Sequence, residues 1–171
     1  MPLREDKNKF LRSEEAAVPV KGVVPVNEIQ GDDDEDTKLL REMAEVARRY
    51  LRTFAWCKDV RNGYFGAGVG GVAAAFLFDA TIVVEGVDAT EWVWVFVGDI
   101  PSAYLSMDEY KTPYLALERY TDGLAEWVRE AELGHTVSGL IPIDYPPTRE
   151  FIEMFRKRVE FLRTFLLPNL A

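Results

Sequence analysis

The chain has 171 residues, 48% of them hydrophobic and 29% charged, with a net charge of −9. That is enough to bury a core without disulfides or metal staples. One cysteine (Cys57), one histidine (His135) and four serines, none in a G-x-S-x-G setting, exclude an internal disulfide, a paired-histidine metal centre and a serine-hydrolase elbow.

Charge is unevenly spread. Residues 14–36 hold eight acids and one base, ending in Asp32, Asp33, Asp34, Glu35 and Asp36, and residues 79–153 hold fifteen acids and four bases. Residues 37–61 and 154–171 are basic in balance. A body this acidic repels phosphate backbones, which disfavours nucleic acid. The remaining partner classes are a basic protein, a small molecule or a second copy. No apolar run reaches the ~20 residues of a membrane span, and the N-terminus MPLREDKNKF lacks the apolar core of a secretory signal. A cytoplasmic location is expected, and no cofactor is implied.

Residues 1–36 read as an extended or disordered acidic arm, and 37–171 as a single α+β domain. Prolines 19 and 25 favour extended backbone and make Val18–Val26 a candidate strap, lying on the domain or on a neighbouring copy. An amphipathic helix is predicted over about 37–57. Leu39, Leu40, Met43, Val46, Ala47, Tyr50, Leu51 and Phe54 recur at helical spacing, with Asp36 or Thr37 as cap.

A hairpin is predicted next, with strands at about 72–84 and 91–97 and a turn from Gly86 to Thr90. In the second strand Trp92, Trp94 and Phe96 point one way, and Val93, Val95 and Val97 the other. Both faces are apolar, so both need cover, from helices or from a second subunit. Ala103-Tyr-Leu105 suits a short further strand. Helices are predicted at about 113–132, with Thr112 capping and Pro113 first, and at about 148–167. Leu140–Asp144 between them suits an extended piece. The sum is an α+β domain around a small antiparallel sheet with three helices.

Several motifs carry possible chemistry. Gly66-Ala-Gly-Val-Gly-Gly71 fits G-x-G-x-x-G, but no strand is predicted before it and no helix after it. Close packing against glycine is the better account. Cys57 reads as a buried thiol at a helix end, where the helix dipole works against a thiolate. Asp79 and Asp99 are the weak catalytic candidates: two carboxylates at strand ends build acid–base or divalent-metal sites. Asp99, before Ile-Pro, reads first as a turn residue. Asp79, inside an apolar run, implies a bulge, an edge or a pocket. Tyr104, Tyr110 and Tyr114, with Asp108 and Glu109 between them, form a candidate binding patch on a loop.

The stretch Trp94-Val-Phe-Val-Gly-Asp-Ile-Pro-Ser-Ala-Tyr-Leu105, followed by Pro113, Ala116, Leu117 and Trp127, resembles a bacterial family of small α+β domains of unknown function. Phe54-Ala-Trp-Cys57 and Phe76-Leu-Phe78 extend the resemblance over about 50–167. It implies a bacterial α+β protein and carries no catalytic role. Size, acidity and the scarcity of catalytic residue types point to a non-enzymatic protein-binding module, of the immunity or toxin-antagonist type, for a basic protein. A small carboxylate enzyme built on Asp79 and Asp99 and a homodimeric structural protein are the alternatives.

Overall fold

The computed structural model describes residues 19–170. Five strands form one antiparallel meander in the order β1-β2-β3-β4-β5: β1 Val24–Pro25, β2 Cys57–Val69, β3 Ala73–Val84, β4 Val87–Gly98 and β5 Ala103–Ser106. Helix α1 (Asp34–Arg52) covers one face. Helices α2 (Pro113–Glu132) and α3 (Arg149–Phe161) cover the other. The α+β class and the three helices agree with the sequence reading.

The alternation in β4 decides this layering. Trp94 and Phe96 lie with Ala75 and Leu77 under Leu117, Tyr120, Leu124 and Trp127 of α2. Val93, Val95 and Val97 lie with Phe76 and Phe78 under Leu40, Met43, Ala47 and Leu51 of α1. One chain therefore covers both faces, and no second subunit is required there. Trp127 meets Phe155 edge-on at 5.4 Å, which brings α3 onto α2.

Four boundaries depart from the sequence reading. Helix α1 begins at Asp34, because Asp33 rather than Asp36 or Thr37 is its cap, accepting from the Asp36 N–H at 2.8 Å. The helix stops at Arg52, so Cys57 is the first residue of β2 and not a helix end. Gly66–Val69 of the glycine-rich segment belong to β2, a strand of 13 residues with register shifts at three places, and Gly70 and Gly71 form the turn to β3. The hairpin turn is only Glu85-Gly86, both at positive φ (52° and 78°), so Val87–Thr90 pair with Thr81–Val84. Two left-handed central residues match the twist of the flanking strands. Leu140–Asp144 lies outside helix and strand, between α2 and α3, and α3 passes at its end into a wider turn, Leu162–Leu166.

Part of the expected arm is built into the fold. Val24 and Pro25 pair with Phe65 and Tyr64, and Ile29 is buried beside α1. Residues 1–18 of the arm lie outside the described residues.

The glycines of 66–71 give room for close packing. A Cβ on Gly66 would meet the Trp94 ring at 3.0 Å, and one on Gly68 would meet the Ala74 Cβ at 2.6 Å. Where Gly70 approaches α1, the Asp36 carboxylate takes its N–H at 2.6 Å and, through its other oxygen, that of Asp32 at 2.9 Å. Asp36 thus fastens the start of α1 to the β2–β3 turn.

Replacing Asp36 with Ala removes two hydrogen bonds to a charged acceptor and is expected to cost about 1–2 kcal/mol. Urea denaturation measures this; an unchanged midpoint would show that the fastening contributes nothing.

Candidate functional site

The sheet is longer than the helix lying on it. At ~1.5 Å per residue the 19 residues of α1 run roughly 28 Å, whereas the 12 residues of β3 run roughly 40 Å. The excess emerges beyond Arg52, where β3 and β4 continue to their turn. There Val84 and Val87, a cross-strand pair on the α1 face, are 50% and 67% exposed. A groove of about 410 Å³ lies on this overhang, floored by Ile82, Val84, Val93, Trp56 and Tyr104, with Glu91 and Ser106 at its margin. The Ser106 hydroxyl donates to the Glu91 carboxylate at 2.8 Å.

One wall of the groove is a cluster of rings in mutual contact. Thr53–Trp56 turns the chain from α1 into β2 and brings Phe54 and Trp56 together, 5.2 Å apart and near parallel. Tyr104 of β5 meets both, at 5.0 and 4.9 Å. Tyr50, a helical turn before Phe54, meets it edge-on at 5.1 Å. Burial, and secondarily the neighbouring Tyr104, pushes the Tyr50 phenol up to about 12.

The margin is acidic. Glu85 and Glu91 have no ion pair among the described residues, while Asp88 is bound by Lys58 at 2.8 Å. Ser106 is in register with Val93, and the Met107 N–H bonds the Trp92 carbonyl at 3.0 Å, so the exposed Asp108 and Glu109 follow beside the same edge. Strand β5 pairs with β4 only at Val93–Phe96. The outer edge of β4 from Val87 to Glu91 therefore has no strand beside it.

The sequence candidates are distributed differently from the expectation. Tyr104 stands on the α1 face in the ring cluster. Tyr110 and Tyr114 pack on the opposite face. The Tyr110 carbonyl accepts from Trp94 Nε1 at 2.6 Å, and a hydrogen bond to Glu118 raises the Tyr114 phenol above its ordinary value. The three tyrosines therefore do not form one patch. Of the expected binding set, only Tyr104, Asp108 and Glu109 belong with the groove.

Asp79 and Asp99 do not share a site. From Asp79 back to Ala73, which pairs with Gly98, is six steps along β3, roughly 20 Å at ~3.3 Å per residue. Each is bound by its own arginine. Arg61 grips Asp79 through Nη2 at 2.7 Å and Nε at 3.2 Å, and also reaches Thr81. Tyr64, raised by burial and by Asp79, lies nearby. Arg158 of α3 holds both the carboxylate and, at 2.7 Å, the carbonyl of Asp99, whose N–H donates to the Val72 carbonyl at 2.7 Å. Asp99 is thus a turn residue that anchors α3, and Asp79 is one half of a side-chain clamp between β2 and β3.

Cys57 is buried and its thiol is raised, chiefly by burial. His135 is exposed beyond α2 and bonds Glu130 at 2.7 Å, so it is no partner for Cys57. Among the described residues no three His, Cys, Asp or Glu side chains are grouped as a metal ion would need. No described helix is long and apolar enough to cross a membrane.

The sequence reading missed Ile82, Val84 and Glu91 as site residues. The available signal was an apolar strand running up to its turn, against a helix too short to cover it. Comparison with protein-family models, curated proteins and solved structures finds no match.

Tyr50 and the buried Tyr120, whose phenol is raised well above its ordinary value by burial, set an alkaline limit. Above pH ~10 the unfolded chain ionises these phenols while the folded chain holds their protons, so stability falls with rising pH. Melting temperature is expected to drop from pH ~10 towards about 12 for Tyr50, with a shallower drop in Tyr50→Phe. An identical slope in that variant would refute the assignment.

Proposed function

We propose that the chain is a non-enzymatic protein-binding module that takes a basic protein partner, in the manner of an antagonist covering a toxin. The overhang of the sheet carries this reading. It joins an apolar groove, with the half-buried rings of Trp56 and Tyr104 and the exposed Val84, to a margin of carboxylates and a length of open strand edge. Apolar anchors flanked by complementary charge are what a specific interface needs: the rings and valines supply desolvation, and the acids steer a cationic surface into register.

The charge balance supports a basic partner over a second copy. Residues 82–93 and 104–111 together hold five acids, Glu85, Asp88, Glu91, Asp108 and Glu109, and one base, Lys111. Two such ends brought together would repel. The enzyme alternative loses its motive, since the two carboxylates on which it rested stand roughly 20 Å apart, Asp79 in the middle of β3 and Asp99 beyond the end of β4, each held by an arginine. Small size, acidity and the resemblance of 94–105 support the toxin-antagonist role and a bacterial origin.

The test is capture from the native lysate at low salt by the intact chain and three variants. Val84→Arg with Glu91→Lys places bulk and positive charge in the groove. Trp56→Ala removes its largest side chain. Glu160→Lys changes an exposed charge on α3, on the far side of the molecule. A basic protein retained by the wild type and by Glu160→Lys, released by salt, lost with the double variant and weakened about tenfold by Trp56→Ala is the expected result. Equal retention by all the variants would overturn the proposal.

A further inference from the structure

A second depression adjoins the groove across the ring of Tyr104. Tyr50 and Phe54 come to it from the last turn of α1 and the residues after it. Ser102 and Tyr104 come from the approach to β5 and from β5 itself, and Asp144 and Tyr145 from the loop between α2 and α3. Its volume is about 530 Å³, within the range of pockets that enclose small ligands.

Three features give this pocket one electrostatic sign. Its walls are aromatic and set across one another: Tyr50 stands at 87° to Phe54, and Phe54 at 69° to Tyr104. The rings meet one another edge to face and Phe54 also stacks on Trp56, so ring faces, ring edges and phenol oxygens together border the pocket, and over a ring face the quadrupole places negative potential. The pocket also lies at the carboxyl end of α1, where the last carbonyls carry the negative pole of the helix. Asp144 is the one charged residue of the lining; it is exposed and has no ion pair among the described residues. No lysine or arginine lines the pocket.

Apart from Asp144 the side-chain oxygens of the lining are hydroxyls and phenols, of Thr53, Ser102 and the three tyrosines, so a single carboxylate is all the anionic charge it offers a hard metal ion, which takes six or more oxygen ligands with carboxylates prominent among them. The pocket suits a cation whose charge is spread over apolar surface. We infer that this pocket binds an alkylammonium head group, in its best-fitting form a methylated one, with Tyr50, Phe54, Tyr104 and Tyr145 around the cation and Asp144 as its counter-charge. The head group can come from a free small amine or from a methylated lysine side chain. The inference shares Tyr104 with the groove but does not depend on the protein-binding reading.

Choline and its neutral isostere 3,3-dimethylbutan-1-ol separate charge from shape. A short peptide carrying trimethyllysine separates the free from the side-chain source. Calorimetry gives affinities, and Trp56, stacked on Phe54 and touching Tyr104, reports occupancy by fluorescence. Choline or the peptide is expected to bind at least about tenfold more tightly than the alcohol. Asp144→Asn, an exposed change that leaves the fold intact, should weaken the cation several-fold without affecting the alcohol. Tyr104→Leu should weaken it further. Tighter binding of the peptide than of choline assigns the site to a side chain, and the reverse to a free amine. Equal binding of cation and alcohol, no binding of either cation at millimolar concentration, or full affinity in both variants would overturn the inference.

Discussion

A ribbon of tryptophan, phenylalanine and valine that must be dry on both sides governs this molecule. Strand β4 offers Trp94 and Phe96 to one face and Val93, Val95 and Val97 to the other, and all five are essentially inaccessible to water. Leaving either face bare would forfeit burial worth roughly 1.5–3 kcal/mol for each large side chain. The chain meets the demand with helices from both its ends: α1 precedes the β2–β5 sheet, and α2 and α3 follow it. The valine face takes the smaller side chains of α1, and the tryptophan face takes the larger ring-bearing surface of α2. The turn anchors follow from that sandwich. Asp36 ties α1 to Gly70, and Arg158 ties α3 to Asp99.

Because the sheet runs on past α1, the demand is unmet at one end, and the candidate site lies there. The apolar surface that one more turn of helix would cover is left open at Val84 and Val87, with the half-buried Ile82 and Trp56 beside them. The open edge of β4 beside it is the kind of surface that invites unwanted strand pairing. Asp88 and Glu91 on that edge, with Asp108 and Glu109 beyond, are the charged guards by which such edges resist it. The same carboxylates that discourage self-association leave the groove selective for cationic surfaces.

Much of the architecture was legible in the residues. The period of α1 and α2, the Thr112 cap and the two-faced pattern of β4 stated the helices and the need for two layers. Strand β2 was not legible, because Gly63, Gly66 and Gly68 mask a strand whose neighbours' rings and backbone occupy the vacant space. Strand β1 was hidden by its proline and its two-residue length. The site was less legible still. Tyr104, Tyr110 and Tyr114 are close in sequence, but one step of strand alternation and a helix start send them to opposite faces. Asp79 and Asp99 looked like partners because each follows an apolar run, yet the register sets Asp79 in the middle of β3 and Asp99 past the end of β4. The groove could not be found from any motif, since it arises from a difference in length between a helix and a strand.

The strand order has a consequence for how the molecule is made. From β2 to β5 each strand pairs with its successor in sequence, through connections as short as the two residues at Glu85-Gly86. Contacts of low sequence separation cost little loop-closure entropy, and topologies dominated by them fold quickly. The sheet can therefore zip together hairpin by hairpin as it leaves the ribosome. Its tryptophan face waits only for α2, the next segment to emerge, which shortens the time that its most aggregation-prone surface stands in water.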